Sequence, residues 1–300
     1  MSSVPLLPWL TDPFVDFAFM RRALAGCFAI SLSAAPVGVF LMLRRMSLTG
    51  DAMAHAILPG AAIGFLLAGF SVMAMTLGGM VAGCLVAALT GLTSRHTGTS
   101  EDGNLAAFYL TSLALGVLLI SLKGSRIDLL HVLFGATLAL DDGALLLLAG
   151  VAVITLLTMA LLYRAIVMVS LDSSFLRTGG PAAKVAHMAL LMLIVLNLVA
   201  GFHALGTLMA VGLMILPATI ARFWVASLEP MILLAVGLAL AGCFAGLLLS
   251  YYTSLATSPL IILCLGSLFL LSALVGREKG LLNTWRHRRT TLADTELTVK

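Results

Sequence analysis

An aspartate and a histidine stand four residues apart in an otherwise apolar stretch of the chain. They are Asp51 and His55, within RRMSLTGDAMAHAILPG. Residues four apart lie on the same face of an α-helix, so a helix here places a carboxylate beside an imidazole. Imidazole is a ligand for zinc and iron, and carboxylate is a ligand for manganese. The spacing therefore indicates a candidate site for a divalent transition metal.

The pair has two interpretations. Two ligands are fewer than the four or so of a tight, closed metal site, but a transport pathway needs only weak and transient coordination. The alternative is an aspartate near a helix start that is held by water, with a histidine that bonds a neighbouring backbone carbonyl. The spacing alone is compatible with both.

Two more pairs of ionisable residues are candidates. Glu101 and Asp102 precede an apolar run, where acids cap free N–H groups and complement the helix dipole; binding or gating is the other role. Asp128 and His131 are three residues apart in the segment 128–140, which is too short to span a membrane and is predicted to be a partial or re-entrant helix. A metal role for this pair is the alternative to ordinary capping and solvation.

Three further residues stand out near the ends of apolar runs. Pro217, in MILPATIARFW, is expected to bend its helix or to shape a turn that meets a partner. His187 lies near the predicted cytoplasmic start of a span, and His203 lies in a predicted outside turn. Each histidine is expected to be an ordinary hydrogen-bonded residue.

The composition is that of a membrane protein. Of the 300 residues, 61% are apolar and 10% are charged, and the mean hydropathy is +1.13. An ordinary globular chain is about 45–50% apolar and about 25% charged. These values exclude a cytosolic enzyme, a disordered tail, a disulfide-rich secreted module and a nucleic-acid-binding protein. They predict a polytopic protein surrounded by membrane lipid.

Charge-free runs separate the charged residues and predict the spans. A helix needs roughly 20 apolar residues to cross a bilayer, and the runs lack the alternation of barrel strands, so the fold is predicted to be an all-α helical bundle. The count is eight or nine, because 184–221 could be one span followed by a broken helix. The predicted spans are 23–43, 51–69, 72–93, 104–122, 143–163, 184–202, 204–221, 230–251 and 259–276.

Lysine and arginine placement predicts the orientation. With the C-terminus in the cytoplasm, most basic loop residues face inward, and only Lys123 and Arg126 are clearly outside. Three parts follow: a proline-containing, irregular or interfacial lead-in at 1–20, a membrane domain at 21–276 and a basic cytoplasmic tail at 277–300. The chain has no nucleotide-binding loop, so any ATP-driven work must come from another polypeptide.

Several stretches together resemble the permeases of metal-ion ABC importers of the zinc, manganese and iron-chelate type. The resemblance covers roughly residues 20–276. The stretches that carry it are GVFLMLRRMSLTGDAMAHAILPGAAIGFLL, SEDGNLAAFYLTSLALGVLLISL, DLLHVLFGATLAL, LGTLMAVGLMILPATIARFW and GLLLSYYTSLATSPLIILCLGSLFLLSAL.

The resemblance implies the membrane-spanning subunit of a bacterial importer in the inner membrane. Two copies of the chain would form the pathway, two copies of a cytoplasmic ATP-binding subunit would drive it, and an extracytoplasmic metal-binding protein would deliver the ion. The cargo would be zinc, manganese or iron, with no permanently bound cofactor and no enzymatic activity in this chain.

The resemblance also assigns residues. In the G-D-A-x-S-H-A-like motif of the family, the acid and the histidine are associated with metal in the pathway, and they correspond to Asp51 and His55. The segment after the ILPATIAR-like motif resembles the turn that docks on the ATPase, which points to Pro217 through Glu229 with Arg222 as a polar contact.

This sequence departs from the family pattern in two places. Ala54 stands where the motif usually has serine, which removes one hydroxyl near the pair. The run 254–259 lacks the acid, the first proline and the glycine of a D-L-P-x-G-P-like turn. That turn is therefore expected to meet the binding protein differently.

Three other functions compete with a metal-ion permease. The first is an importer permease of the same class for an organic cargo such as a metal chelate or a corrinoid. The second is a secondary transporter that exchanges metal for protons without ATP. The third is a membrane-embedded hydrolase, which is disfavoured because no nucleophile–base arrangement stands out among the spans.

Overall fold

The computed structural model describes residues 6–69, 71–97, 101–122, 138, 140–171 and 180–278. These residues form helices and no strand, so the all-α prediction is confirmed. The helices are α1 Leu6–Asp16, α2 Ala18–Leu43, α3 Ser47–Ala56, α4 Leu58–Ala68, α5 Val72–Thr97, α6 Glu101–Leu122, α7 Asp142–Leu171, α8 Gly180–Leu205, α9 Thr207–Trp224, α10 Leu228–Thr253 and α11 Thr257–Val275.

Eight helical segments within the described ranges are long and apolar enough to cross a membrane. They are α2, α3 with α4, α5 and each of α7 to α11. The remaining predicted span, 104–122, coincides with α6, whose apolar part Gly103–Leu119 is shorter than the others. The prediction of eight or nine spans is therefore confirmed.

The segment 184–221 forms two helices rather than one span with a fragment. α8 and α9 meet at Gly206, which has a φ of 90°. An L-residue with a side chain rarely adopts this conformation, whereas glycine adopts it readily. The glycine therefore allows the chain to reverse within one residue between two membrane-length helices.

The ends of the chain differ from the sequence prediction. The lead-in is helical over α1, and the extended Phe17 separates α1 from α2, so its described part is not irregular; the interfacial alternative stays a prediction. About three turns of helix form here, because this stretch is mostly apolar and can pack on α2 and α10. The segment 128–140 and the tail after Glu278 lie almost wholly outside the described residues.

α2 lies at the centre of the bundle. It packs against α7, α8, α9 and α10, and most of its side chains from Ala29 to Met42 are buried. By contrast, many leucines of α5, α7 and α11 are exposed. Exposed apolar faces on helices of membrane length are suited to contact with lipid. The buried α2 is the core around which the other helices are arranged.

Candidate metal site

The helix that carries Asp51 and His55 is fixed by a close approach to α9. The chain turns between α2 and α3 at Arg45, which has a φ of 59°. A side-chain carbon on Gly50 would lie 2.7 Å from the Met214 methyl carbon of α9. Glycine therefore lets α3 pack closely against α9, and this contact fixes the position of the next residue, Asp51.

The predicted span 51–69 corresponds to one membrane-length segment that is divided by a single residue, Ile57, which itself keeps helical dihedral angles of −74° and −26°. α3 ends at Ala56 and α4 begins at Leu58, with a turn at Ile57. The cause is Pro59, which has no N–H to donate to the carbonyl of His55 four residues earlier. The break therefore lies directly after the candidate metal ligand.

Asp51 and His55 lie on one face of α3, as their spacing predicts. His55 Nε2 is 3.8 Å from Asp51 Oδ1, and the side chains are 37% and 62% exposed, respectively. At this separation, an ion about 2.1 Å from both atoms would make an N–metal–O angle of about 130°. Shortening the distance between Nε2 and Oδ1 by about 0.4 Å would reduce this angle to the tetrahedral value. Small side-chain rotations suffice for one ion to bind both residues.

The other edge of the His55 ring is buried in protein. Nδ1 is buried and has no hydrogen-bond partner among the described residues. On one side, the ring stacks on Tyr109 of α6, with centroids 6.3 Å apart and an interplanar angle of 30°. Nε2, the nitrogen on the side of Asp51, can bind a metal only when the proton is on Nδ1.

The side chains of the remaining metal candidates lie outside the part of the chain that the structure describes. Glu101 and Asp102 begin α6, as expected for acids at a helix start, but their side chains lie outside the described part. Asp128 and His131 lie outside the described residues. Among the residues that are described, no group of three or more histidine, cysteine or acidic side chains is arranged to hold a metal.

The predicted coupling segment divides into a helix end and a short turn. Pro217 is buried inside α9, which continues through it to Trp224, so it lies eight residues before the turn that begins at Val225. Arg222 is half-buried in the last turn of α9, and Glu229 is exposed in the first turn of α10. Only Val225 to Ser227 separate the two helices.

The two histidines that lie apart from the metal candidates, His187 and His203, both belong to α8. Arg44 Nη1 lies 2.7 Å from Nδ1 of the buried His187, which joins the turn after α2 to α8. Arginine has no acceptor, so Nδ1 accepts this bond; the prediction of a hydrogen-bonded histidine is confirmed. His203 lies in the last turn of α8 rather than in the loop that follows.

Sequence reasoning missed two residues of α6 beside the pair. Tyr109 stacks on His55, and the Ser112 hydroxyl donates to the Ala56 carbonyl at 2.9 Å. Their three-residue spacing places them on one helix face. That spacing was visible in the sequence, but nothing local indicated that this face meets α3.

The membrane-length helices define a polytopic membrane protein. Residues 16–276 match the model of the ABC 3 transport family, and the chain belongs to this family.

Relatives and a solved structure agree with this assignment. The chain is 34% identical over 268 residues to the manganese import system permease protein ScaB of Streptococcus parasanguinis, covering 89% of this chain and 94% of that protein. It is 29% identical over 270 residues to the chelated iron transport system membrane protein YfeD of Yersinia pestis, covering 90% and 89%. The structure of PsaBC from Streptococcus pneumoniae in complex with Fab is 29% identical with a TM-score of 0.77, covering 91% of this chain and 97% of that chain.

Proposed function

We propose that this chain is the permease subunit of an ATP-driven importer of divalent manganese or iron, with Asp51 and His55 as passing ligands. The observation that carries the proposal is the 3.8 Å approach of Asp51 Oδ1 to His55 Nε2 beside a helix break. Broken helices at membrane depth commonly carry the substrate sites of transporters. The names of the relatives, which import manganese or chelated iron, support these ions as cargo.

A second copy of the chain would complete the ligand set. Asp51 and His55 supply two ligands and keep substantial exposure. Two copies that face each other along α3 would bring four such groups to one ion, the number that a metal site normally has. The pathway then lies between the copies, and the ion is held only while both helices keep this geometry.

The energy for transport comes from separate subunits. No nucleotide-binding loop occurs in the chain, so a cytoplasmic ATP-binding subunit supplies hydrolysis and this chain is not itself an enzyme. The turn 225–227, flanked by Arg222 and Glu229, is the proposed contact with that subunit. An extracytoplasmic metal-binding protein delivers the ion from the opposite side.

Orientation follows from the basic residues. The C-terminus, with the basic tail 277–300, lies in the cytoplasm of a bacterial cell, and residues 21–276 span its inner membrane. ATP binding and hydrolysis change which side of the bundle is open. A bound ion favours one state only if it binds the two states differently, and two ligands on a helix that moves relative to its partner provide that difference.

The test is uptake of radiolabelled Mn²⁺ into proteoliposomes that contain this chain, its ATPase and its binding protein. Asp51→Ala and His55→Ala should each lower ATP-dependent uptake by about tenfold or more, because each removes a direct ligand. Asp142→Ala is the matched control, since this exposed acid pairs with Arg22 away from α3. Uptake at the wild-type rate in both α3 variants would contradict the proposal.

Chelated iron is a second candidate cargo, favoured by the name of the Yersinia relative. A groove of about 480 Å³ is lined almost wholly by apolar residues of α4, α5 and α6; Pro59 and Ser112 are among its lining residues, whereas Asp51 and His55 are not. A chelate cargo predicts that an iron chelate competes with uptake better than the free ion. Uptake driven by a pH gradient without ATP would instead indicate a secondary transporter.

A further inference from the structure

One face of α6 packs along the segment that joins α3 to α4, from His55 to Pro59. Tyr109 meets His55, Ser112 meets Ala56, and Gly116 meets Leu58 and Pro59. Residue numbers rise together on both sides, so the two segments run in the same direction. Because the three contacts occur in the same order along both segments, α6 packs along the α3–α4 junction rather than touching it at one point.

Ser112 provides the polar contact of this face. Its hydroxyl is buried and donates to the Ala56 carbonyl at 2.9 Å. Pro59 removes the usual N–H partner of the His55 carbonyl, and Ser112 bonds the next carbonyl along the chain, that of Ala56. Side-chain hydroxyls commonly bond backbone carbonyls beside a proline in membrane helices. The bond therefore holds α3 at the residue that directly follows His55.

Tyr109 orients the imidazole itself. A histidine that binds metal through one ring nitrogen usually donates the other N–H to a carboxylate or a carbonyl, which fixes the ring. His55 Nδ1 is buried without such a partner among the described residues. The stacked Tyr109 ring is the contact that takes over this orienting role.

Gly116 permits the close fit at the far side of the break. A side-chain carbon there would lie 3.0 Å from the Pro59 nitrogen and 3.2 Å from the Leu58 Cβ. These distances are tighter than ordinary van der Waals contact. α6 can therefore approach the start of α4 closely enough for the Ser112 hydrogen bond to form.

We propose that Ser112 and Tyr109 are positioning residues for metal binding, which fix the Ala56 carbonyl and the His55 ring so that Nε2 faces Asp51. This inference rests on the proposed function of Asp51 and His55. It predicts that removing either contact weakens metal binding although neither residue touches the ion.

The experiment is a Mn²⁺ titration of the permease–ATPase complex, without the binding protein, followed by loss of the free-ion electron paramagnetic resonance signal. Ser112→Ala should weaken Mn²⁺ affinity by about tenfold, as for other residues that support a ligand, and Ser112→Thr should restore it. Thr111→Ala is the matched control, because this exposed hydroxyl bonds only the Ala107 carbonyl of its own helix. Tyr109→Leu should weaken binding, whereas Tyr109→Phe, which keeps the ring, should not.

Gel-filtration profiles and thermal midpoints of each complex show whether a variant is folded. Wild-type affinity in Ser112→Ala and Tyr109→Leu, with binding lost in Asp51→Asn, would overturn this inference and leave the proposed function intact. Wild-type affinity in Asp51→Asn as well would overturn both. Weakened binding in Ser112→Ala that Ser112→Thr fails to restore would also contradict a role for the hydroxyl.

Discussion

The segment α3–α4 and the helix pair α10–α11 differ in the continuity of their helices and in the ionisable residues that they carry. α10 and α11 are unbroken helices, and the only charged residue within them is Glu229 near the start of α10. α3–α4 is interrupted at Ile57 and carries an acid and a histidine one turn before the interruption. Regular helices suffice to face lipid, whereas the irregular segment occurs where protein neighbours can satisfy its backbone.

Close backbone approach occurs at particular positions in both regions. The Gly60 backbone lies against Gly78 of α5, so an added side-chain carbon would collide with the Gly78 carbonyl. In the α10–α11 pair, a side-chain carbon on Gly246 would lie 2.6 Å from the Ile261 Cα, whereas one on Gly266 would meet nothing within 4 Å. The start of α4 is thus held directly against α5, while α11 is open at Gly266.

The largest expected effect is on stability. Gly60→Val should destabilise the protein by about 3 kcal/mol or more, because the collision is with backbone that cannot move aside. The matched variant Gly266→Val should change stability by no more than about 0.5 kcal/mol. Thermal midpoints of the two purified variants would measure the difference; equal midpoints would show that the close approach of Gly60 to Gly78 is not needed for stability.

A smaller effect is expected from replacing Pro59, the proline that follows the turn between α3 and α4. Pro59→Ala restores an N–H opposite the His55 carbonyl and favours a continuous helix, since proline costs about 3 kcal/mol in a helix interior. Stability should not fall, yet Mn²⁺ uptake should drop about tenfold because the contacts with α6 shift.

Pro36→Ala is the control for this experiment. Pro36 lies inside the unbroken α2, so its removal should affect uptake little. If Pro59→Ala transports at the wild-type rate, the break is not needed for function.

The smallest effect concerns the ion pair at the start of α7. Arg22 Nη2 and Asp142 Oδ1 are 3.0 Å apart, with side chains 50% and 76% exposed. Exposed pairs of this kind contribute about 0–1 kcal/mol. Asp142→Asn should therefore shift the thermal midpoint by at most a few degrees, and a larger loss would show that this pair stabilises the fold more than an exposed ion pair normally does.

Much of this architecture could be predicted from the sequence because the relevant signals are local. Charge-free runs predicted the membrane-length helices, and the four-residue spacing of Asp51 and His55 predicted their shared face. Pro59 was a visible signal for the break, but its effect is hard to predict, since α9 continues through Pro217 whereas α3–α4 does not.

Contacts between distant parts of the chain could not be predicted in the same way. Arg44 and His187 are 143 residues apart, and Ser112 and Ala56 are 56 apart. Many apolar faces in a bundle are chemically equivalent, so a single sequence does not indicate which face of α6 meets α3. The candidate ligands were therefore predictable from their spacing, whereas the residues of α6 that contact them were not.

Anomalous X-ray scattering at the manganese edge, from crystals of the importer grown with Mn²⁺, tests the central claim most directly. The account predicts a peak between Asp51 Oδ1 and His55 Nε2, within about 2–2.5 Å of both atoms. A manganese peak elsewhere in the membrane domain, with none at this pair, would contradict it.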